Sequence, residues 1–503
     1  MEEKIAQQNL STVAVRGSVY NTISLFISKF GGLIFTIIIA RTLLPELFGV
    51  YALALSIITI FTTFTNLGLD DTFLRYLSKS FSKSSRKESR SYLRYFVKLK
   101  ISLGLISIIL LLVISRYLSY SVYKNPLLFY PLIFSCLFIL SESMRNFFAT
   151  IFTAKKDFKT PLLFVISLQI LNILLSIFAV LMLTDSFKIS GIFIAFFISS
   201  FFTLILMFYI LLKKDKNLFV GETERINKFK INSYWKFMIL ASVSLTFFGS
   251  IDTLMLGKFV ASEYLGYYRA ALSLVITVAT MFSLSGLFLP IFTQISGKRF
   301  SRGFHKTLRY ILLLSIPATG GIIFIAKYLI KAIYGNEYIL GAASIYFLAI
   351  LIVTTPLIGL YSIIFQSKEK PKIVSNSILI SLFVNIILNI FVIFLFKNNP
   401  LFMISGVGLA TSISRILLLE LLIFHAKREF GFKVKGIGLR APIFATIVMC
   451  LFLLIFNYFI NLNIFLGIIE VVLSIGVYFG VLILAKGVTK EDFKLIKGLI
   501  KKR

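Results

Sequence analysis

From residue 18 to residue 485 the chain repeats one pattern: an apolar run of twenty-odd residues, a short polar turn, then another apolar run. Crossing a bilayer core roughly 30 Å thick takes about 20 helical residues. Inside that core every backbone polar group must find its partner within the spanning structure. These runs therefore confine the chain to an all-α integral membrane protein. Composition agrees: 58% of the 503 residues are hydrophobic and 15% charged, where a soluble domain has about 25% charged residues. About fourteen spans are expected, at 18–42, 49–69, 93–115, 126–151, 161–183, 189–212, 234–257, 264–291, 308–330, 341–365, 373–396, 402–425, 441–461 and 464–485. The polar first fifteen residues lack the pattern of a cleaved signal peptide, so the first span is expected to stay in place.

Most of the 53 Lys and Arg residues fall in loops on the N-terminal side of the membrane. The positive-inside rule then puts both termini in the cytoplasm, in a multi-pass protein of the cell (plasma) membrane. Anchoring against anionic membrane lipids accounts for the net charge of +32, and no nucleic-acid partner is expected. Cys136 and Cys450 lie inside apolar runs, where a thiol behaves as a small hydrophobe. His305 and His425 lie in or beside basic loops without metal-ligand spacing, so neither a metal site nor another cofactor is expected. The chain has no G-x-x-x-x-G-K-[ST] loop for ATP. The tail "GVTKEDFKLIKGLIKKR" reads either as an interfacial helix with a capping box from Thr489 to Asp492 or as a basic topogenic tail.

The chain repeats itself. "ARTLLPELFGVYALALS" from Ala40 returns as "GKFVASEYLGYYRAALS" from Gly257, at an offset of 217 that also pairs Gly32 with Gly249. "FTAKKDFK" from Phe152 returns as "FQSKEKPK" from Phe365, an offset of 213 that brings Asn172 to Asn385. "ISGIFIAFFIS" from Ile189 returns as "ISGVGLATSIS" from Ile404, an offset of 215. Spans 1–6 and 7–12 thus read as two copies of a six-helix lobe, in parallel orientation because six is even. Repeats of this kind place a substrate site between them. The expected organisation is an N-lobe at 1–212, a cytoplasmic linker at 213–233 and a C-lobe at 234–425. Two extra helices at 441–485 and a basic tail at 486–503 follow. At the repeated corner, Gly49 and Gly266 permit close packing, while Glu46 and Glu263 are placed to cap or to pair with Arg41 and Lys258.

"ARTLLPELFGVY", "NLGLDDTFLRYLS", "DTLMLGKFVASEYLGYYRAA", "LFLPIFTQIS" and "IYGNEY" resemble the polysaccharide flippases of the multidrug/oligosaccharidyl-lipid/polysaccharide exporter superfamily. The resemblance spans the first twelve helices, and the extra pair suits its fourteen-helix branch. It implies two lobes that alternate access and move a polyprenyl-pyrophosphate-linked oligosaccharide outward. It also implies a transporter and not an enzyme, and it carries no catalytic set with it. The expected partners are the lipid-linked oligosaccharide, membrane lipids and an ion gradient or the membrane potential, around a monomer.

Charges present in only one copy are the candidates for a site. Lys29 aligns with Thr246, Arg415 with Ser200, Arg269 with Ala52, and Asp252 with Phe35. An ionised side chain at mid-bilayer costs about 2.5–3.5 kcal/mol on insertion scales, so each asks for a reason. Lys29, Arg145, Arg269 and Arg415 are the candidate ligands of an anionic headgroup. Lys29 alternatively forms half of a buried ion pair. Arg145 alternatively pairs with Glu142 three residues earlier. Asp252 and Arg269 lie at one depth, either as a bridge between their helices or as a gate that the substrate opens. Asp252 and Glu142 are also candidates for gating or ion coupling. Gln169, Asn172, Asn385 and Asn389 read first as polar glue between helices. Two other functions fit the pattern less well. An ion-coupled multidrug exporter would hold cations with acidic cavity residues. A membrane glycosyltransferase or polymerase would show a large external loop carrying catalytic acids.

Overall fold

The computed structural model describes residues 2–283, 292, 297–368, 370–431, 438–459 and 464–487. Among them every regular element is helical. The N-terminal bundle comprises α1 (Glu2–Asn66), α2 (Leu69–Ser82), α3 (Arg86–Arg116), α4 (Phe129–Ala154), α5 (Lys159–Met182) and α6 (Asp185–Asp215). The C-terminal bundle comprises α7 (Lys228–Phe259), α8 (Ser262–Met281), α9 (Gly297–Tyr334), α10 (Ala342–Leu348), α11 (Leu351–Ser367), α12 (Pro371–Leu395) and α13 (Pro400–Phe430). Helices α14 (Arg440–Phe459) and α15 (Ile464–Leu484) pack on each other, and α14 also packs on α9.

Eleven of the described helices are long and apolar enough to cross a membrane, or twelve if a bent pair counts as one span. The sequence pattern gives fourteen because it separates two runs that lie here in one segment, Ile23–Ser82, and adds the run at Ser262–Met281. The first two runs join at Leu44 (φ 60°, ψ 170°), which is followed by Pro45. Proline disfavours helical backbone in the residue before it, so α1 breaks there into two limbs. The tenth run is not one straight helix: Asn336–Leu348 and Leu351–Ser367 meet at 49°. The stretch 70–92, read as a loop, is mostly the amphipathic α2 and the start of α3, because Leu69, Phe73 and Leu77 fall on one face and bury it. Side-chain caps set other boundaries. Ser85, Asn227 and Asn399 accept from the first-turn amides of α3, α7 and α13. The tail beyond residue 487, with Thr489 and Asp492, and most of "LFLPIFTQIS" lie outside the described residues.

The distribution of side chains inverts that of a soluble protein. Val113, Phe178 and Phe394 are more than half exposed, while Lys100, Ser135, Ser199 and Asn389 are fully buried. Lipid solvates the former, and each of the latter finds a hydrogen-bond partner inside its bundle.

The two copies repeat their contacts as well as their letters. Asp157 pairs with Lys214 at 2.9 Å, tying the start of α5 to the end of α6. At the matching positions Lys370 pairs with Glu429, tying the start of α12 to the end of α13. The same bridge is present twice, with its charges exchanged.

The linker is strapped to α3. Arg90 donates to the carbonyl oxygens of Asn217 and Glu222, Arg94 to that of Gly221, and Ser91 to that of Glu224.

Candidate transport site between the two bundles

The corner between the limbs of α1 packs directly on the corner between α7 and α8. A Cβ on Gly49 would lie 1.8 Å from the carbonyl oxygen of Ser262, and one on Gly266 would lie 2.1 Å from that of Pro45. Only glycine allows two backbones this close. Arg41 strengthens the junction by donating to the carbonyl oxygens of Ile333 and Ala332 at the end of α9. The expected Arg41–Glu46 and Lys258–Glu263 pairs are not among the ion pairs of the described residues. Arg41 instead satisfies orphan carbonyls at a helix end, and Glu263 accepts from Tyr267.

Away from the corner, one side of the seam is closed. Thr63 and Thr246 share a hydrogen bond of 2.9 Å between the bundles, and Trp235 donates to the carbonyl oxygen of Leu67. The repeat mates of Thr246 and Thr63 are Lys29 and Thr280, and these do not meet. The Thr280 hydroxyl turns back to Thr277, and Lys29 is exposed, with no ion-pair partner among the described residues. A Cβ on Gly32 or on its mate Gly249 would meet nothing within 4 Å, so this face of α1 borders open space.

In the C-terminal bundle, three helices converge on Asp252 of α7, which is 6% exposed. Its carboxylate accepts from Tyr268 at 2.9 Å, from Thr411 at 2.6 Å and from Asn389 at 2.8 Å. Asn385 lies one turn before Asn389 and accepts a 3.3 Å bond from it. Asn385 and Asn389 are thus more than glue between helices: they complete the surroundings of a buried acid. The expected Asp252–Arg269 bridge is absent among the described residues. The two share a depth, but it is Tyr268 that points at Asp252, and the adjacent Arg269 leaves α8 in another direction, toward Thr253 at 3.5 Å. The Arg415 guanidinium lies 4.1 Å over the ring of Phe248, and its buried Nε has no hydrogen-bond partner. At the mates of Asp252, Tyr268 and Thr411 the N-terminal bundle carries Phe35, Tyr51 and Phe196, whose rings pack at 6.5 and 5.3 Å. One copy carries a buried acid where the other carries an aromatic ring.

The N-terminal bundle holds charges of its own. Lys100 has no exposed surface and donates to both Asp70 oxygens, at 2.8 and 3.0 Å, and to Asn66 at 3.3 Å. Arg145 and Glu142 are paired, with Nε to Oε2 at 3.0 Å, and Ser200 and Asn146 also donate to Glu142. Both networks border a cavity of about 280 Å³ whose wall includes Thr59, Thr62, Phe138 and, across the seam, Ser242. Sequence reasoning missed Asp70 and Lys100. The signal was present: Asn66 and Asp70 flank the Leu67–Gly68 turn between α1 and α2, and Lys100 stands inside the apolar run that forms α3.

Two helical bundles that repeat each other's contacts thus meet along a seam bordered by charged and polar side chains. The chain belongs to the polysaccharide biosynthesis protein family, whose model matches residues 38–342. It is 23% identical over 261 residues to a probable low-salt glycan biosynthesis flippase, Agl15, of Haloferax volcanii. That match covers 50% of this chain and 52% of the relative, so the chain spans about half the length of the curated relative it matches. Among solved structures it resembles the lipid II flippase MurJ in an inward closed conformation, with a TM-score of 0.66 at 19% identity, covering 92% of this chain and 97% of the other. It also resembles the multidrug transporter DinF-BH, with a TM-score of 0.61 at 16% identity, covering 83% and 95%. An inward-facing multidrug resistance transporter of the MATE family matches with a TM-score of 0.59 at 14% identity, covering 83% and 98%. These likenesses show the fold.

Proposed function

We propose that this protein is a flippase that moves a polyprenyl-(pyro)phosphate-linked oligosaccharide from the cytoplasmic to the outer leaflet, for assembly of a cell-surface polysaccharide or glycan. The observation that carries this reading is the interlock of Gly49 and Gly266. It closes one end of the seam with two symmetric corners, while Asp70, Lys100 and Glu142 border a cavity that reaches Ser242 across the seam. Two rigid bundles pivoting about such a junction expose those charges to one side of the membrane at a time. The functions named for Agl15 and MurJ support the same substrate class.

In this reading the working lobes are 1–212 and 234–425, joined by the linker 213–233. Helices in 441–485 and a basic tail at 486–503 follow. The corners face outward, and both termini are cytoplasmic in the plasma membrane. Lys29, Arg269 and Arg415 meet the anionic headgroup. Arg145 acts through Glu142, which it holds in place. Asp252 exchanges a proton or a monovalent cation, because its neighbours Asn385, Asn389 and Thr411 offer neutral oxygens and the buried Asn389 Oδ1 accepts no hydrogen bond. The protein works as a monomer.

The buried acid also favours a second reading, a cation-coupled multidrug exporter like the MATE transporters. Reconstitution in proteoliposomes with defined lipid-linked sugars, under sodium, proton and voltage gradients, separates the two. Gradient-driven flipping of the lipid-linked sugar supports the first reading. Transport of cationic dyes without any flipping of the glycolipid would overturn it.

A further inference from the structure

The cavity of the N-terminal bundle differs in chemistry from the cationic positions assigned to the headgroup. Each of its bases is paired to an acid: the Lys100 and Arg145 side chains are 0% and 9% exposed, those of Asp70 and Glu142 are 15% and 18% exposed, and Lys100 lines the cavity beside Asp70. The wall therefore presents paired, mutually neutralised charges and amide groups among the apolar side chains of Leu55 and Ile58. Thr59, Thr62 and the aromatic Phe138 complete it. A phosphate would find no unpaired cation there, because Lys100 and Arg145 are engaged with Asp70 and Glu142. A neutral polyol would find acceptors for its hydroxyl protons and a ring to stack on. At about 280 Å³ the cavity lies just below the roughly 300–1,000 Å³ range of drug-sized ligand pockets. That is room for one sugar ring and not for an oligosaccharide.

We infer that this cavity, bounded by Asp70, Glu142, Thr59, Thr62 and Phe138 and faced across the seam by Ser242, is a monosaccharide-binding subsite. It holds one sugar of the glycan while the phosphate is held at the cationic positions of the seam. The inference rests on the flippase reading and divides its substrate between two chemistries. The Asp70–Lys100 and Glu142–Arg145 pairs are positioning pairs, in which each base holds its partner carboxyl in place at the cavity wall.

Ser242 allows a test that spares the ion pairs. It belongs to α7, lies across the seam from the networks and is not fully buried. Ser242→Phe fills the cavity from the opposite wall, and the double variant T59V/T62V removes two hydroxyls at almost constant volume. The probes are undecaprenyl diphosphate alone and undecaprenyl diphosphate carrying a single glucose, galactose, mannose or N-acetylglucosamine. Binding to purified protein is measured beside thermal unfolding. At least one sugar-bearing lipid should bind the wild type at least tenfold more tightly than the bare lipid. Both variants should erase that difference while leaving bare-lipid affinity within about twofold. Equal affinity of bare and sugar-bearing lipids for the wild type, or a sugar preference that survives Ser242→Phe, would overturn the subsite and leave the flippase reading standing. Failure of every lipid to bind the wild type would overturn both.

Discussion

Gly49 and Gly266 each lie against the carbonyl oxygen of the residue four positions before the other: Gly49 against Ser262, and Gly266 against Pro45. The two glycines are repeat mates, and so are Pro45 and Ser262. A two-fold relation between the corners produces this reciprocity, and it explains why one corner sequence appears twice. Each copy is the other's partner.

Gly49→Ala and Gly266→Ala should therefore open the corner. A Cβ placed about 2 Å from a backbone oxygen has no flexible side chain to displace, and overpacking of this kind typically costs 1–3 kcal/mol. Spin labels on the two corners should report a longer mean distance in either variant. An unchanged distance distribution together with unchanged thermal stability would show that the interlock does not hold the seam shut.

A second test uses the exchanged bridge. Asp157 lies outside the membrane-spanning segments. Burial pushes its carboxyl up, but the Thr160 hydroxyl and amide and the Lys214 ammonium outweigh this and hold it below the usual range. Its stabilising contribution is therefore present above the unfolded value near 3.9 and is lost as pH falls through the folded value. Asp157→Asn should therefore lower stability at neutral pH, and the difference from the wild type should shrink as pH falls below about 4. Because the other copy carries the bridge in reverse, Asp157→Lys with Lys214→Glu should recover the pairing share of the loss, about 0.2–1 kcal/mol. The cap that Asp157 provides to the Thr160 amide should stay lost. A double variant no more stable than the sum of its singles predicts would remove the bridge from the account.

The helices and the repeat were legible in the sequence because both rest on local pattern. Apolar runs must be helical in lipid, and "FTAKKDFK" and "FQSKEKPK" align without reference to any contact. What resisted reading was direction. Residues 252 and 269 have a shared depth, but which of Tyr268 and Arg269 points toward Asp252 depends on the rotation of α8, and that is set by its packing on α1. Lys100 carries no mark of direction in the sequence that separates it from the other basic residues of α3. Its burial depends on Asp70 and Asn66, which lie across a turn and on other helices. The Glu142–Arg145 pair was the easier case, since three residues along one helix bring two side chains together without tertiary information.

Asp252→Asn tests ion coupling with little change of shape. The amide keeps the volume and still accepts at one oxygen, but it carries no charge to exchange. Flipping in proteoliposomes should lose its dependence on the coupling gradient, with gradient-driven transport at least tenfold slower and affinity for the lipid-linked sugar little altered. Asp252→Ala should in addition destabilise the bundle by about 1–3 kcal/mol, because Tyr268, Asn389 and Thr411 would lose a buried acceptor. Full gradient dependence in a well-folded Asp252→Asn protein would dismiss the residue as a coupling group.

Lys29 offers the sharpest test of headgroup binding. Its repeat mate, Thr246, is held by Thr63 across the closed side of the seam, whereas Lys29 borders open space without an ion-pair partner among the described residues. A lysine that is half of a buried ion pair would, on conversion to alanine, leave an acid unpaired and cost about 3–5 kcal/mol. One that waits for a substrate anion would cost little stability and much affinity. Lys29→Ala should therefore unfold within a few degrees of the wild type while its affinity for undecaprenyl diphosphate falls at least tenfold. Lys29→Arg keeps the charge but exchanges a compact ammonium for a planar fork, so it should retain part of the binding. Raised ionic strength should weaken the wild type more than Lys29→Ala, since the variant lacks one of the screened contacts. A stable Lys29→Ala protein with wild-type affinity for the bare diphosphate lipid would end the assignment. The headgroup would then rest on Arg269 and Arg415 alone.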